Sequence, residues 1–500
     1  MPIESSREII GNIPYKEVVA SELNNPAFKE IFAYDSEGDL FFRRNGIKIV
    51  DLMKNYGDRY DAAIQITDTV QVTQRAHMLK EIFRQGARLA GYPEKNIQIH
   101  YATKANFKAP IVAAALKEVD METSSPLDLV NFAWMRKRGI VPKDKKVVCN
   151  GYKGDSRFQF DKGYGARILG LHREGVDITV VLDKNELPYY KNSVTRGVLD
   201  VGLRLKFGPV TNDGELDRLV SRFGFSWNDL QLEAKNIDQS KNLRFTMFHA
   251  MISAAHAIQP KEFVKSALFA VEKYAILRQK HPTLTHLNLG GGIPSIDSGY
   301  DYNAFLKPYL TGVIDICRKY RIPLPTIVIE SGSFIATDCE NLAFRVVENG
   351  VNSSDRAPWA VINGVLTNLP DIFIQEDPFT FVAANHANEP SIGIRIGDMT
   401  CDSNDVYPPK NQPEKLIHMP RKLDDLIIVA INTGAYQDVI SGVGSEKEAN
   451  FVLHCGNPEP IQVYIGEDRS GRPYIRSSKR PTLQEMSHLS GFSDDLAPYL

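Results

Sequence analysis
The chain has 500 residues, 43% apolar and 24% charged, a composition ordinary for a soluble globular protein with room for more than one hydrophobic core. Its 59 basic and 61 acidic residues leave a net charge of −2, which gives no reason to expect nucleic acid or an anionic membrane as a partner and points to small molecules or other subunits. Cys149, Cys317, Cys339, Cys401 and Cys455 have neither the density of a disulfide framework nor the close pairing of a zinc site, so reduced cysteines and no metal are expected.

No apolar core of signal-peptide length follows a basic amino-terminal segment, and no run reaches the length of a membrane span, so a cytoplasmic protein is expected. Phe41 to Thr67 contains β-like pieces, and Val72 to Ala90 has helical periodicity. A strand-like stretch then runs through Ile99-His100-Tyr101-Ala102-Thr103 into Lys104, and a helix is predicted from Phe107 to Glu118. Seven more β-rich runs follow: Val119 to Thr123, Val147 to Tyr152, Thr179 to Asp183, Asp200 to Leu205, Arg244 to His249, His286 to Gly290 and Thr326 to Glu330. Helical stretches such as Leu127 to Lys137, Lys261 to Arg278 and Tyr302 to Tyr320 separate most of them. Eight βα units over about 250 residues suit a closed (β/α)8 barrel, and no Gly-x-Gly-x-x-Gly fingerprint favours a doubly wound sheet instead.

After Ile335 the rhythm changes to short β-like runs, Leu342 to Val347, Trp359 to Val365, Gly393 to Met399, Leu426 to Asn432 and Ile461 to Ile465, broken by Gly, Pro and Asn. The expected architecture is α/β: a TIM-like barrel over residues 76–334, and a discontinuous all-β domain built from 335–480 with strands from 1–75. Residues 481–500 read as a polar tail.

The candidate site residues sit where these strands end. A lysine such as Lys104, standing where a strand gives way to a helix, can reach a site shared with the other strand ends, although a lone lysine there is usually a solvated surface charge. Glu330 alone would read as a rim salt bridge, His249 as a hydrogen-bonded core histidine, and Gly290-Gly291-Gly292 as a mobile turn. Cys401 would be a small buried hydrophobe and Asp402 a turn residue.

Taken together, Tyr101-Ala102-Thr103-Lys104-Ala105-Asn106, Gly290-Gly291-Gly292, Glu330-Ser331-Gly332, Cys401-Asp402-Ser403 and Gly434-Ala435-Tyr436 resemble, in order, the fold-type III pyridoxal-phosphate amino-acid decarboxylases, over roughly residues 35 to 470. Cys149-Asn150-Gly151-Tyr152-Lys153, Asn368-Leu369-Pro370-Asp371 and Gly434-Ala435-Tyr436-Gln437 are most similar to the biosynthetic arginine decarboxylases. The resemblance implies pyridoxal 5'-phosphate as cofactor, carried by Lys104, with Glu330 beside the pyridine nitrogen and His249 against the ring. It also implies cofactor contacts from Glu122, Arg204, Gly291, Gly292, Gly332 and Tyr436.

It further implies a homodimer with shared active sites, in which Cys401 from the second subunit serves as proton donor near the α-carbon. Asp402, with Asp371 or Glu122, would meet a cationic side chain, because carboxylate pairing with guanidinium is strong in a desolvated pocket. Two departures stand out. Ser333 replaces the arginine common after Glu-x-Gly, and His249-Ala250-Met251-Ile252-Ser253 replaces His-x-Gly-Ser. Ser333 and Ser253 supply hydrogen bonds without a charge, and Arg204 is one candidate for the missing cation. The implied activity is decarboxylation of L-arginine to agmatine. Ornithine, lysine, diaminopimelate or an amino-acid conjugate remain open as substrates, as do a racemase and a non-catalytic regulatory homologue.

Overall fold
The computed structural model describes residues 13–22, 26–153, 163–206, 222–252, 260–351, 357–374, 379–412, 414–437, 454–457, 459–468, 470–480, 482–489 and 492, so Ser253 and most of the 481–500 tail lie outside the described residues. The chain divides into two compact units, Val72–Ala336 and the combined segments Met1–Gln71 and Thr337–Leu500. Among the described residues, no helix is long and apolar enough to cross a membrane.

Eight parallel strands form the first unit: β1 Ile97–Ala102, β2 Asp120–Thr123, β3 Val147–Cys149, β4 Ile178–Leu182, β5 Leu199–Arg204, β6 Leu243–His249, β7 His286–Asn288 and β8 Thr326–Ser331. Each pairs with the next in sequence, and β8 returns to β1 with Glu330 opposite His100, which closes the barrel. Runs such as Ile178-Thr179-Val180-Val181-Leu182 are apolar almost throughout because a barrel strand is covered on both faces. Val148, Val181, Met247 and Val328, from four different strands, form one buried cluster. The helix Pro126–Lys137 shows how local sequence sets a boundary. Ser125 accepts the Asp128 N–H, Asp128 answers the Ser125 N–H, and Pro126 needs no donor in the first turn.

Two expected elements are shorter than their sequence pattern. The helix after Lys104 spans Ala109–Ala115 only, with Pro110 in its first turn, where its missing N–H costs no hydrogen bond, and Lys108 outside the helical region at ψ 134°. The third strand stops at Cys149 instead of Tyr152 because Gly151 turns at φ +77°, where an added Cβ would lie 2.9 Å from the Ser124 carbonyl.

The second unit is a mixed sheet whose main path runs Val406–Tyr407, Ser391–Gly397, Pro358–Ile362, Glu340–Val351, Ile64–Asp68, Ile461–Glu467 and Pro473–Ser477. The amino-terminal segment therefore supplies an interior strand. Ile64–Asp68 lies antiparallel to Glu340–Val351 and parallel to Ile461–Glu467. A buried polar ladder fixes its register: Gln462 donates to Gln65 at 2.8 Å, and Thr67 donates to Glu340 at 2.5 Å. The strands Thr380–Ala383, Val406–Tyr407, Ile417–Pro420 and Pro473–Ser477 lack a sequence signal because they are short and, in the last case, largely exposed.

Candidate active site
Side chains two residues apart on a strand share a face. Val148, Met247 and Val328 belong to the buried cluster, and two residues beyond them stand Asn150, His249 and Glu330. The alternation that builds the barrel interior thus delivers an amide, an imidazole and a carboxylate to the carboxyl ends of β3, β6 and β8, the rim where such barrels carry their chemistry.

Glu330 is 5% exposed, and its Oε1 accepts Nδ2 of Asn288 at 2.7 Å and Nδ2 of Asn150 at 3.0 Å. Its Oε2 lies 3.8 Å from Nε2 of His249. Burial alone would push this carboxyl up, but His249, the two amides and Lys104 outweigh it and hold Glu330 below the usual carboxylate range. The same Asn150 amide donates to Oε1 of Glu122 at 2.8 Å and so bridges two buried carboxyls. Glu122 goes the other way. Desolvation and then the Glu330 charge push it up to about 8, so that it carries a proton at neutral pH. Two carboxyls joined by one amide therefore hold opposite protonation states.

His249 is 1% exposed, with neither ring nitrogen hydrogen-bonded, and burial pulls it down to about 4. It is a neutral imidazole near Glu330. The half-buried Arg204 ends β5, its guanidinium 4.9 Å from the Phe223 ring centre. Burial lowers its pKa against the opposing pull of Glu330, Asp183 and Glu122, which places its charge with the carboxylates. Lys104 lies in an exposed turn two residues past β1 and acts electrostatically on Glu122, Glu330 and His249.

The glycine turn is tied to this network. Asn288 accepts the Gly290 N–H at 2.8 Å while donating to Glu330, and the Glu330 N–H donates to the Gly290 carbonyl at 2.9 Å. Gly290 and Gly292 have φ of +69° and +94°, a Cβ on Gly291 would lie 2.7 Å from the Glu330 carbonyl, and one on Gly332 would lie 2.5 Å from Cβ of Ala105. Glycine is required here by backbone conformation and close approach. The Gly291 N–H is not open to solvent. It donates to Sδ of Met251 at 3.3 Å, a contact made by the residue that departs from the family pattern after His249. Ser333 begins the short helix Ser333–Ala336.

In the sheet unit, Cys401 is exposed, and Asp402 accepts the Asn404 N–H at 2.9 Å in a local turn. Asp371 is buried and is engaged by Gln437, which donates to its Oδ2 at 2.7 Å and accepts its N–H at 3.3 Å. Tyr436 adopts φ +70° directly after Gly434-Ala435. Sequence reasoning missed Asn150, Asn288 and Met251. Asn150 and Asn288 lie at strand ends on the inward register, but asparagine at a strand end usually means only a turn. The Asn150 turn is anchored by the buried ion pair of Lys153 with Glu186, 3.0 Å apart, and by the Lys153 ammonium bonded to the Gly151 carbonyl.

No family model matches the chain. It is similar to the biosynthetic arginine decarboxylase of Bacteroides thetaiotaomicron, at 24% identity over 297 residues, which is 55% of this chain and 45% of that protein. The chain thus matches about half the length of its curated relatives. Among solved structures it resembles the biosynthetic arginine decarboxylase of Campylobacter jejuni, with TM-score 0.75, 16% identity and coverage of 97% of this chain and 92% of that one. The diaminopimelate decarboxylase of M. jannaschii gives TM-score 0.71 at 15% identity, covering 93% and 99%. In sequence the chain is thus similar to biosynthetic arginine decarboxylases over about half of its length, and its fold is that of solved arginine and diaminopimelate decarboxylases.

Proposed function
We propose that the protein decarboxylates an amino acid with a cationic side chain, L-arginine to agmatine and carbon dioxide, with pyridoxal 5'-phosphate as cofactor and a cytoplasmic homodimer as the active form. The observation that carries this reading is Glu330, an ionised buried carboxylate whose Oε1 is occupied by two amides and whose Oε2 is left for a cationic partner. The rim fits the cofactor: His249 keeps two buried nitrogens and Glu122 one buried oxygen without partners.

When bound, the cofactor supplies a conjugated sink for the electron pair left on the α-carbon as carbon dioxide departs. Lys104 would hold it through the ε-amino group, and Glu330 would keep the pyridine nitrogen protonated. A neutral His249 would lie against the ring without bringing a charge to it. Protonated Glu122 spares Glu330 a second neighbouring anion. Gly291, Gly292, Gly332, Ser333 and Tyr436 would take the phosphate, and the Gly291 N–H must exchange Met251 for it. Following the resemblance, Cys401 of a second subunit would return a proton to the α-carbon, and Asp402 would pair with the guanidinium. Asp371, engaged by Gln437, would support that pocket from behind.

The test is the absorbance spectrum of the purified protein together with product analysis. A cofactor band that shifts with L-arginine, and agmatine formed in preference to products from ornithine, lysine or diaminopimelate, is expected. A protein reconstituted with pyridoxal phosphate that shows no band would sink the cofactor assignment, and a band shifted only by another amino acid would move the substrate.

A further inference from the structure
The side chains of Lys153 and Glu186 are fully buried, and their charged groups meet at 3.0 Å. Taking two charges out of water can cost more than their attraction returns, so stability alone is a poor reason for such a pair. Its bonds point to geometry instead. Glu186 ties two strand ends together: its Oε2 accepts the Asp183 N–H at 2.9 Å just past β4, and its Oε1 accepts the Lys153 N–H at 2.5 Å a short turn past β3. The Lys153 ammonium folds back onto the Gly151 carbonyl, and the Tyr190 hydroxyl donates to the Lys153 carbonyl at 2.9 Å. Burial pulls Lys153 below the usual ammonium range and the Glu186 carboxylate opposes it, so the ammonium depends on its partner.

Asn150 stands at the head of this turn. Its N–H donates to the Thr123 carbonyl at 2.8 Å, and its Nδ2 serves acceptors from two strands, Oε1 of Glu122 at 2.8 Å and Oε1 of Glu330 at 3.0 Å. Both bonds survive only while the amide is aimed between the carboxyls, because hydrogen bonds weaken steeply as they bend. Nothing holds the amide from its other end, since Oδ1 of Asn150 is buried without a hydrogen-bond partner. The aim is therefore set by the backbone on either side of Asn150, and on the Gly151 side that backbone is tied by Lys153 and Glu186.

We propose that Lys153 and Glu186 are positioning residues for the barrel rim: the buried pair holds the Gly151 turn so that the Asn150 amide donates to Glu122 and Glu330 at once. Neither residue touches the reacting atoms; both act through Asn150. The effect on turnover rests on the role given to Glu330 above, whereas the aim of the amide does not.

The test compares the full-length wild type, Lys153→Met/Glu186→Gln, Asn150→Ala and the triple variant. The double substitution removes both charges together, so no ion is left buried alone, and Glu186→Gln by itself carries the test if circular dichroism shows that the double variant does not fold. The first readout needs no cofactor: the infrared carbonyl stretch of the Glu122 carboxyl, isolated by subtracting the matching Glu122→Gln protein. It should rise in frequency in Asn150→Ala, which deletes the donor, and rise likewise when the pair is removed. A band that the pair variant leaves at the wild-type frequency overturns the proposal, whatever reaction the protein catalyses. The second readout is kcat. Removing the pair should lower it roughly tenfold to a hundredfold, and the triple variant should be no slower than Asn150→Ala, because the pair has nothing left to act through. Losses that multiply in the triple variant show that the pair works independently of Asn150 and overturn the proposal; a shifted band with undiminished kcat upholds the aiming of Asn150 and counts instead against the role of Glu330.

Discussion

Glu122 is the group on which the electrostatics of the barrel rim turn, and Glu122→Gln isolates it. In the folded chain its carboxyl is pushed up to about 8 by burial and by the Glu330 charge, against an ordinary value of 4.5. Between those values the unfolded chain has released the proton and the folded one has kept it, so raising the pH favours unfolding. The protonated group's contribution to stability is complete below 4.5, falls through the window and levels off above about 8. At about 1.4 kcal/mol per pH unit the loss has a ceiling of about 5 kcal/mol. Glu330 shifts in the opposite direction and offsets part of it. Glutamine cannot ionise, so its carrier should lack this slope and gain on the wild type across the window. The assay compares thermal midpoints of the two proteins from below 4.5 to above 8, and follows the infrared carbonyl stretch of a protonated carboxyl in the wild-type minus variant difference. A midpoint difference independent of pH, with a band that disappears near the ordinary 4.5, would refute the reasoning.

Lys104→Ala should lose turnover and retention of added cofactor together; reductive trapping that labels another lysine would move the attachment point. Glu330→Gln should keep the fold by circular dichroism yet lose roughly a hundredfold or more in kcat, the usual scale for removing a group that stabilises developing charge, and an undiminished rate would count against its role. Met251→Ala frees the Gly291 N–H from a weak sulfur acceptor. Returning about 0.5–1.5 kcal/mol should tighten pyridoxal-phosphate binding by about threefold to tenfold, and unchanged affinity in an equilibrium titration would show that Met251 does not compete. Lys104→Ala and Cys401→Ala subunits, each inactive alone, should recover about a quarter of wild-type activity when randomly mixed, because about half the dimers then hold one intact site. Verified exchange without recovery would dismiss shared sites.

What the sequence made legible follows from periodicity. Barrel strands such as Ile178–Leu182 are short apolar runs because parallel strands are covered on both faces, and the turn residues after the strands mark the rim, so Lys104, His249 and Glu330 can be placed at strand ends from the sequence. Gly151 is the clearest local failure. A glycine inside a β-like run reads as a weak spot, and only the nearness of the Ser124 carbonyl turns it into a stop.

The partners within the site were not legible, and the reason is register. Whether Asn150 reaches Glu122 and Glu330 depends on inward side chains from β2, β3 and β8 meeting within 3.0 Å, and β3 and β8 are not even adjacent in the sheet. Alternation fixes the face a residue occupies; it does not fix which residue across the barrel lies at the same height. The protonation pattern inherits this gap. Glu122 and Glu330 are the same amino acid, and their charges part because burial and the Glu330 charge raise Glu122, while His249 and two amide donors outweigh burial at Glu330. Asp371 makes the same point in the sheet unit: the resemblance implies a carboxylate for a cationic substrate, and its partner Gln437 comes from 66 residues along the chain. Residue type selects what a position can do, and the neighbours brought by register decide which proton it keeps.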